Sequence, residues 1–526
     1  MPAVPMPAVP MTVVIAPIAP SPETLSRTRE RFAALLGADA VLNADTGLGV
    51  FHDPFEGPQA QGHQPSLAIQ PATVEQVQEA LRLARELGIH VWTSSMGRNF
   101  GYGGSAPVVD GGVVLNLRRM NRILDIDVRN GFAAIEPGVT FADLYAALRK
   151  DDIPLMMSVP DLGWGSMTAN ALEHGIGYNV LGDHASALCG LEVVLPDGSL
   201  LHTGQGGIPD SPLWHCHRRG FGPAVDDLFK QSNLGIVTKA GVQLMPRPEV
   251  IMTGTIRCEG KEDVGPLLDM VRRLLQAGVL QGVPMLVSSP PSATGDGGGA
   301  FTAENLRKVL RPGRWNLRFG LYGHEALVAS RRAILEAEVA KIPGAVLEAR
   351  TYAGDAGPDE VEPRDLIAAG IPNQVLLERL TGVFGTNFGH MDFSPVLPFD
   401  AAYAHRMESL LGETMARFGL IGAFGLLCFP RSMVSASLIM FDASDQARVD
   451  AARVAVRHLC DEVAGWGCAP YRAHVALVDH VQDKFAYNDG AMARFYTRLK
   501  DALDPAGMLA PGNHGIWASG QRPDGG

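Results

Sequence analysis

Apolar residues recur three and four apart at Val74, Val77, Leu81, Ala84 and Leu87, which gathers them on one face of an α-helix. Thr73 and Gln76 read as a capping box at its start, and Gly88 ends it. A helical pattern also runs from Ser21 to Leu36 and stops at Gly37. The period then changes. IHVWTSS at 89–95 and GGVVLNL at 111–117 read as strands. ILDIDV and FAAIEP flank Arg129-Asn130-Gly131, where Asn-Gly predicts a tight hairpin turn with positive φ angles. Thr140 caps a helix through Lys150, and LEVVLPDGSLLHTG at 191–204 reads as another hairpin. A further strand region at 233–246 closes this α+β block near Pro248.

The middle of the chain has a different rhythm. Strand-like stretches at 251–257, 317–322, 393–397 and 435–442 precede helical patterns at 262–277, 324–341, 400–418 and 444–465. Four such units suggest an internal duplication around one antiparallel sheet with helices on one face. The closing segment, DPAGMLAPGNHGIW, is expected to return to the first block. The reading is an α+β chain of two domains, the prior that 526 residues favour. Residues 21–248 form the first domain, 249–470 the second, and 471–526 a segment completing the first. Residues 1–20, with a tandem MPAVP and no basic residue, read as a disordered tail rather than a secretory signal.

Composition narrows the function classes. With 46% hydrophobic and 19% charged residues the chain is of globular type. Its net charge of −12 and lack of a basic run argue against nucleic acid and anionic membranes as partners. No apolar run approaches the ~18 residues of a membrane span. Six scattered cysteines without a Cys-x-x-Cys pair suit buried thiols in a reducing compartment, and a cytoplasmic location is expected.

Few residues carry chemistry on their own evidence. GYGGSA at 101–106 matches Gly-x-Gly-x-x-Ala after a strand, but Pro107 and a turn follow where a dinucleotide fingerprint requires a helix. Such a loop can still cradle a diphosphate with backbone N–H groups, or be a plain tight turn. Asp161 precedes a helix opening near Ser166 and is either a cap or a functional carboxylate. Tyr471 and Arg472 are strand neighbours that reach one ligand only if the chain bends, for which Pro470 is a cause; otherwise they are a surface pair. His390 is either structural or a ligand. Trp214-His215-Cys216-His217 lacks the partner spacing of a zinc site, and no metal is expected.

Taken together, GRNFGYGGSAP, PDLGWGSMTANALEHGIGYNVLGDH, LEVVLPDGSLLHTG, FKQSNLGIVTKAGVQLMP, PYRAH and DPAGMLAPGNHGIW resemble the vanillyl-alcohol oxidase/4-cresol methylhydroxylase family of flavoproteins. The resemblance runs from about residue 40 to 516. It implies an FAD domain built from both ends of the chain, with an antiparallel-sheet cap domain between them. It implies FAD bonded covalently through its 8α-methyl to His390. It implies a phenol pocket of Tyr102, Tyr471 and Arg472, with Tyr178 as a further pocket tyrosine. Asp161 falls on the carboxylate beside flavin N5. Ser95, Gly97, Arg98, Asn99, Gly101, Gly103 and Gly104 fall on cofactor-binding positions of the glycine loop. Pro160, Gly163, Ser166, Asn170, Gly175 and Gly177 do so in the second loop, as do Ile236 and Asn513 further on.

The implied reaction is oxidation of a para-substituted phenol at its benzylic carbon by hydride transfer to N5, through a para-quinone methide. Asp161 would act as base for water. Electrons would pass to O2, giving hydrogen peroxide, or to a separate cytochrome or other carrier, and the chain would form a homodimer or larger homo-oligomer. Four sites depart from the family pattern. Met433-Val434-Ser435 stands where relatives often have Met-His-His, and Asn513-His514 replaces a Lys-Ser pair. Asp392 and Gly425 stand where relatives differ, which suggests a wider, more polar pocket at the para end, suited to bulky lignin- or lignan-derived phenols; the alternative for Asp392 is a solvated loop carboxylate. Two other classes compete. A flavin-free binding module would have lost Tyr102, His390, Tyr471 or Arg472, and a sugar or lactone oxidase does not need the Tyr-Tyr-Arg set.

Overall fold

A computed structural model describes residues 19–60, 62–289 and 297–523. Residues 1–18 of the expected tail lie outside them. The strands Leu67–Ile69, Val113–Asn116 and Val91–Ser94 run parallel, with Val41–Leu42 antiparallel at the edge. Helix Val74–Leu87 makes the crossover and buries Val77, Ala80, Leu81 and Ala84. Thr73 caps it through a 3.2 Å bond from the Gln76 N–H, while the Gln76 side chain accepts the N–H of Ala72 at 2.7 Å. The box thus closes one residue earlier than the sequence pattern implies. Gly88 ends the helix in the left-handed region at φ 66°.

The next sheet is antiparallel, in the order Ile123–Asp127, Phe132–Ile135, Ile236–Gln243, Leu188–Val194, Leu200–His202. Its first hairpin differs from the expected turn. Asp127 pairs with Phe132 across a four-residue connection, and only Gly131 adopts positive φ, at 68°. Asn130 instead donates its backbone and side-chain N–H groups to the Asp127 carboxylate at 2.8 and 2.7 Å. An Asx contact has replaced the left-handed conformation at that position.

The C-terminal segment docks on the first sheet. The Val91 N–H donates to the Met508 carbonyl at 2.9 Å and the Ala510 N–H to the Val91 carbonyl at 2.7 Å. Ala506, Met508 and Leu509 share a core with Phe32, Leu81 and Leu115. Lys500, fully buried, donates to the carbonyls of Asn233 and Leu509 at 2.9 and 2.6 Å and pairs with Asp504 at 2.8 Å. Lys500→Ala would strand the Asp504 charge in the interior, at a cost of about 3–5 kcal/mol. A denaturant titration should show that loss, with a smaller one for the Lys500→Met/Asp504→Leu double variant.

Residues 250–442 supply the remaining large sheets. Instead of one sheet of four repeated units the described residues form two, both antiparallel. Seven strands run in the order Val346–Ala353, Val250–Cys258, Trp315–Gly323, Gln281–Ser288, Gly425–Cys428, Ser432–Ser435, Val396–Pro398. Phe388–Phe393, Ser437–Asp442 and Ile421–Ala423 form a separate sheet. The stretch expected at 393–397 is in fact the end of one strand and the start of another, and each belongs to a different sheet. The four helices Val264–Gln276, Glu325–Val339, Ala401–Phe418 and Gln446–Ala464 fall where the helical patterns predict and share one core with the seven-stranded sheet. In Trp315–Gly323 the residues Trp315, Leu317, Phe319 and Leu321 enter that core. Alternation therefore sends Asn316, Arg318 and Tyr322 to the opposite face. Among the described residues no helix is long and apolar enough to cross a membrane.

Candidate active site

On that opposite face a cavity of about 410 Å³ lies between the cap strands and the glycine loop. No helix follows the loop. Gly97, Gly101, Gly103 and Gly104 all adopt positive φ, and the chain passes through turns into strand Val113–Asn116. Ser95, Gly97, Arg98, Asn99, Tyr102 and Gly104 line the cavity from this side, and Pro160, Asp161, Ser166, Asn170, Gly175 and Tyr178 from the next loop. His390, Asp392, Tyr471, Arg472 and Asn513 complete the set.

Six expected residues are off the wall. Gly101 and Gly103 back it: a Cβ there would meet the Asp392 carboxyl at 2.7 Å and Val475 at 2.6 Å, and both of those side chains do line the cavity. Gly163 packs against Pro372, and Gly177 against Ser158 and His184. Ile236 belongs to the core under the parallel sheet. Gly425 sits one layer back, where a Cβ would lie 3.1 Å from the Cε of Met285. A larger residue there would press on Met285 and on the Ala436 carbonyl, both of residues that line the cavity.

Tyr471 and Arg472 both reach the cavity because the chain is pinned just before them. Pro470 bridges Pro395, and the Tyr471 N–H donates to the Ser394 carbonyl at 3.2 Å. Arg472 hydrogen-bonds Asn99, and its guanidinium carbon lies 4.1 Å from the Tyr102 ring centroid. The Tyr102 hydroxyl is 3.0 Å from that of Ser394. Burial alone would weaken the Arg472 charge, but the oxygens of Tyr102 and Tyr471 and the Glu173 and Asp392 carboxylates hold its pKa above the ordinary value. Burial pushes both tyrosines up as well, with Asp392 adding to the rise at Tyr102. The site therefore presents two protonated hydroxyls and a permanent cation. The Arg472 guanidinium lines the cavity and offers its charge to an oxyanion there, while its Nε is occluded and has no partner among the described residues.

A second cluster surrounds Asp161. The helix Met167–Leu172 is capped by Ser166, so Asp161 is not its cap. Its carboxylate accepts a hydrogen bond from Tyr178 and an ion-pair contact from Arg318 at 3.4 Å. The Arg318 guanidinium also stacks on the Tyr178 ring at 4.0 Å. Burial and the neighbouring Asp161 charge raise Tyr178 well above its ordinary pKa, so it stays a donor. The sequence does not single out Arg318. The available signal was the alternation of Trp315–Gly323, where a cation occupies the face without helices.

His390 stands on strand Phe388–Phe393 with its Nδ1 3.0 Å from the Asp392 carboxylate. Asp392 thus faces His390 and the Tyr102–Arg472 side, rather than a separate polar end of the pocket. Beneath the loop, the buried pair of Asp53 and His474 (2.9 Å) ties residue 474 to the N-terminal region. Burial would raise the Asp53 carboxyl, but the His474 bond and charge and the Phe55 N–H outweigh it, and its pKa falls below 3.8. A depressed folded pKa stabilises the fold above about 3.8, and the contribution fades as pH drops through the lower folded value. Asp53→Asn should therefore melt earlier than wild type at pH 7, and the gap should close in acid. His215, by contrast, stacks on Trp214 and bonds the Cys189 carbonyl at 3.1 Å. The described residues contain no group of three or more metal-binding side chains.

The glycine loop and its neighbour leave room for a planar, diphosphate-bearing group, and comparison with known proteins agrees. A model of the FAD binding domain matches residues 65–204. The flavoprotein subunit of 4-cresol dehydrogenase [hydroxylating] from Pseudomonas putida is 31% identical over 506 residues, which cover 93% of this chain and 95% of that protein. A structure of 4-ethylphenol oxidase from Gulosibacter chungangensis in complex with isoeugenol superposes with a TM-score of 0.88 at 30% identity, covering 95% of this chain and 99% of the other. Substrate-bound p-cresol methylhydroxylase gives 0.84 at 28% identity, covering 96% and 99%. FAD is the cofactor, and the chain belongs to the vanillyl-alcohol oxidase/4-cresol methylhydroxylase family of FAD-dependent oxidoreductases.

Proposed function

We propose that the protein oxidises para-substituted phenols at the benzylic carbon, with FAD tethered at His390 and O2 as electron acceptor. The observation that carries this reading is the convergence of Tyr102, Tyr471 and the Arg472 cation on one cavity. A free phenol titrates near ~10, and two hydroxyl donors with a guanidinium favour its phenolate. FAD supplies the two-electron acceptor for the benzylic hydride.

The residues of the chain do the rest. Tyr102, Tyr471 and Arg472 bind and orient the phenolate oxygen. That charge drives hydride loss and leaves a para-quinone methide. Asp161, steadied by Tyr178 and Arg318, accepts the proton of water adding to the methide. The names of the relatives support the substrate class, since each is a 4-alkylphenol enzyme.

A second reading keeps the same site but passes electrons to a separate carrier. It is favoured by the relative described as the flavoprotein subunit of a dehydrogenase. A screen of para-alkyl and para-hydroxyalkyl phenols under air, with peroxide detection, tests both. Stoichiometric hydrogen peroxide supports the oxidase. Turnover only with an added acceptor supports the carrier.

A further inference from the structure

We propose that Asp392 is a positioning residue that makes Nε2 of His390 the atom free to bond the flavin. The proposal rests on the tether at His390. His390 and Asp392 lie two apart on Phe388–Phe393, so their side chains share one side of the strand, while Met391 and Phe393 enter the cap core. Nδ1 and the carboxylate are 3.0 Å apart. An ionised carboxylate only accepts, so Nδ1 carries the hydrogen, and in a neutral imidazole Nε2 is then left with its lone pair. No described residue hydrogen-bonds Nε2. The rings of Phe55 and Phe388, at 5.1 and 5.6 Å, flank the imidazole.

The carboxylate is itself held in place. The Asp392 N–H donates to the Gly101 carbonyl at 3.2 Å. Gly101 has φ 81°, and a Cβ there would come within 2.7 Å of the carboxyl carbon. Only glycine leaves that space. The glycine loop therefore anchors the Asp392 backbone and leaves room for its carboxylate, and the carboxylate fixes the tautomer.

In the attachment step the bond formed joins Nε2 to the 8α carbon, and the bond broken is a C–H of the 8-methyl group. That proton and two electrons end on the isoalloxazine. O2 then removes the two electrons, with one proton from the isoalloxazine and one from solvent, as hydrogen peroxide. The imidazolium left at His390 is neutralised by Asp392.

The test follows attachment in protein made under riboflavin limitation, then incubated with FAD in air. Total bound FAD is measured by absorbance, and attached FAD as colour retained in an acid-precipitated pellet. Asp392→Ala should bind FAD but attach it at least tenfold more slowly than wild type. Asp392→Asn keeps a carbonyl acceptor and should attach faster than Asp392→Ala. Loss of binding and attachment together in Asp392→Ala would indicate a merely structural role and overturn the proposal. Attachment by Asp392→Ala at the wild-type rate, or Asp392→Asn no faster than Asp392→Ala, would overturn it while leaving the tether intact. A colourless wild-type pellet would remove the tether and this inference together.

Discussion

Arg472→Ala is expected to lower kcat/KM for a para-alkylphenol by about 10²–10³-fold, the effect of deleting one preorganised donor from an anion site. The loss should be larger than that of Tyr102→Phe or Tyr471→Phe. Each phenylalanine removes one neutral donor, whereas the alanine removes the cation that lines the cavity. Part of the effect will be indirect, because Arg472 also holds Asn99 and covers the Tyr102 ring. Arg472→Lys separates the two contributions. It keeps a charge but not the planar fork, so it should recover only a fraction of the lost rate. Steady-state kinetics with a fixed phenol measure all four variants.

Asp161→Asn should lower kcat by about 10²–10⁴-fold, the range for loss of a general base. An amide at this position can still accept from Tyr178, but it offers Arg318 no charge and cannot take a proton from water. Substrate binding should change less than kcat, because the phenol oxygen is held by the other cluster. Products add a second readout. If Asp161 activates water, the variant should shift products from hydroxylated to unsaturated where the substrate has a β-hydrogen. Chromatography of the products from a 4-ethylphenol-type substrate would show the shift. An unchanged ratio would remove Asp161 from that role.

Some of this architecture is legible in the residues, and the failures have physical causes. Helix Val74–Leu87 is readable because one face is apolar and both ends are capped. The four cap helices are readable for the same reason. Strands are harder. The apolar runs 393–397 and 435–442 each span a change of sheet, which long-range pairing decides and local pattern cannot. Val346–Ala353 is an edge strand with exposed positions, so its apolar signal is weak.

The site divides along similar lines. Tyr102, Asp161, Tyr178, His390, Tyr471 and Arg472 line one cavity although they come from distant segments, and recognising them took the assembled motifs rather than any single one. Arg318 is not legible in the sequence because its role depends on which face of a buried strand meets Asp161. Gly425 reads as a pocket residue in sequence, but Met285 stands between it and the cavity. Asp392 reads as a change in pocket polarity, and its observed partner is the neighbouring histidine.

The proposed activity requires a phenolate to be bound and oxidised within reach of the flavin. Anaerobic mixing of the purified yellow protein with a para-alkylphenol tests this in one spectrum. The flavin absorbance is expected to bleach within the mixing experiment, and the same phenol with its hydroxyl methylated to leave the colour unchanged. Bleaching by an aldonolactone but by no phenol, or equal bleaching by the methyl ether, would contradict it.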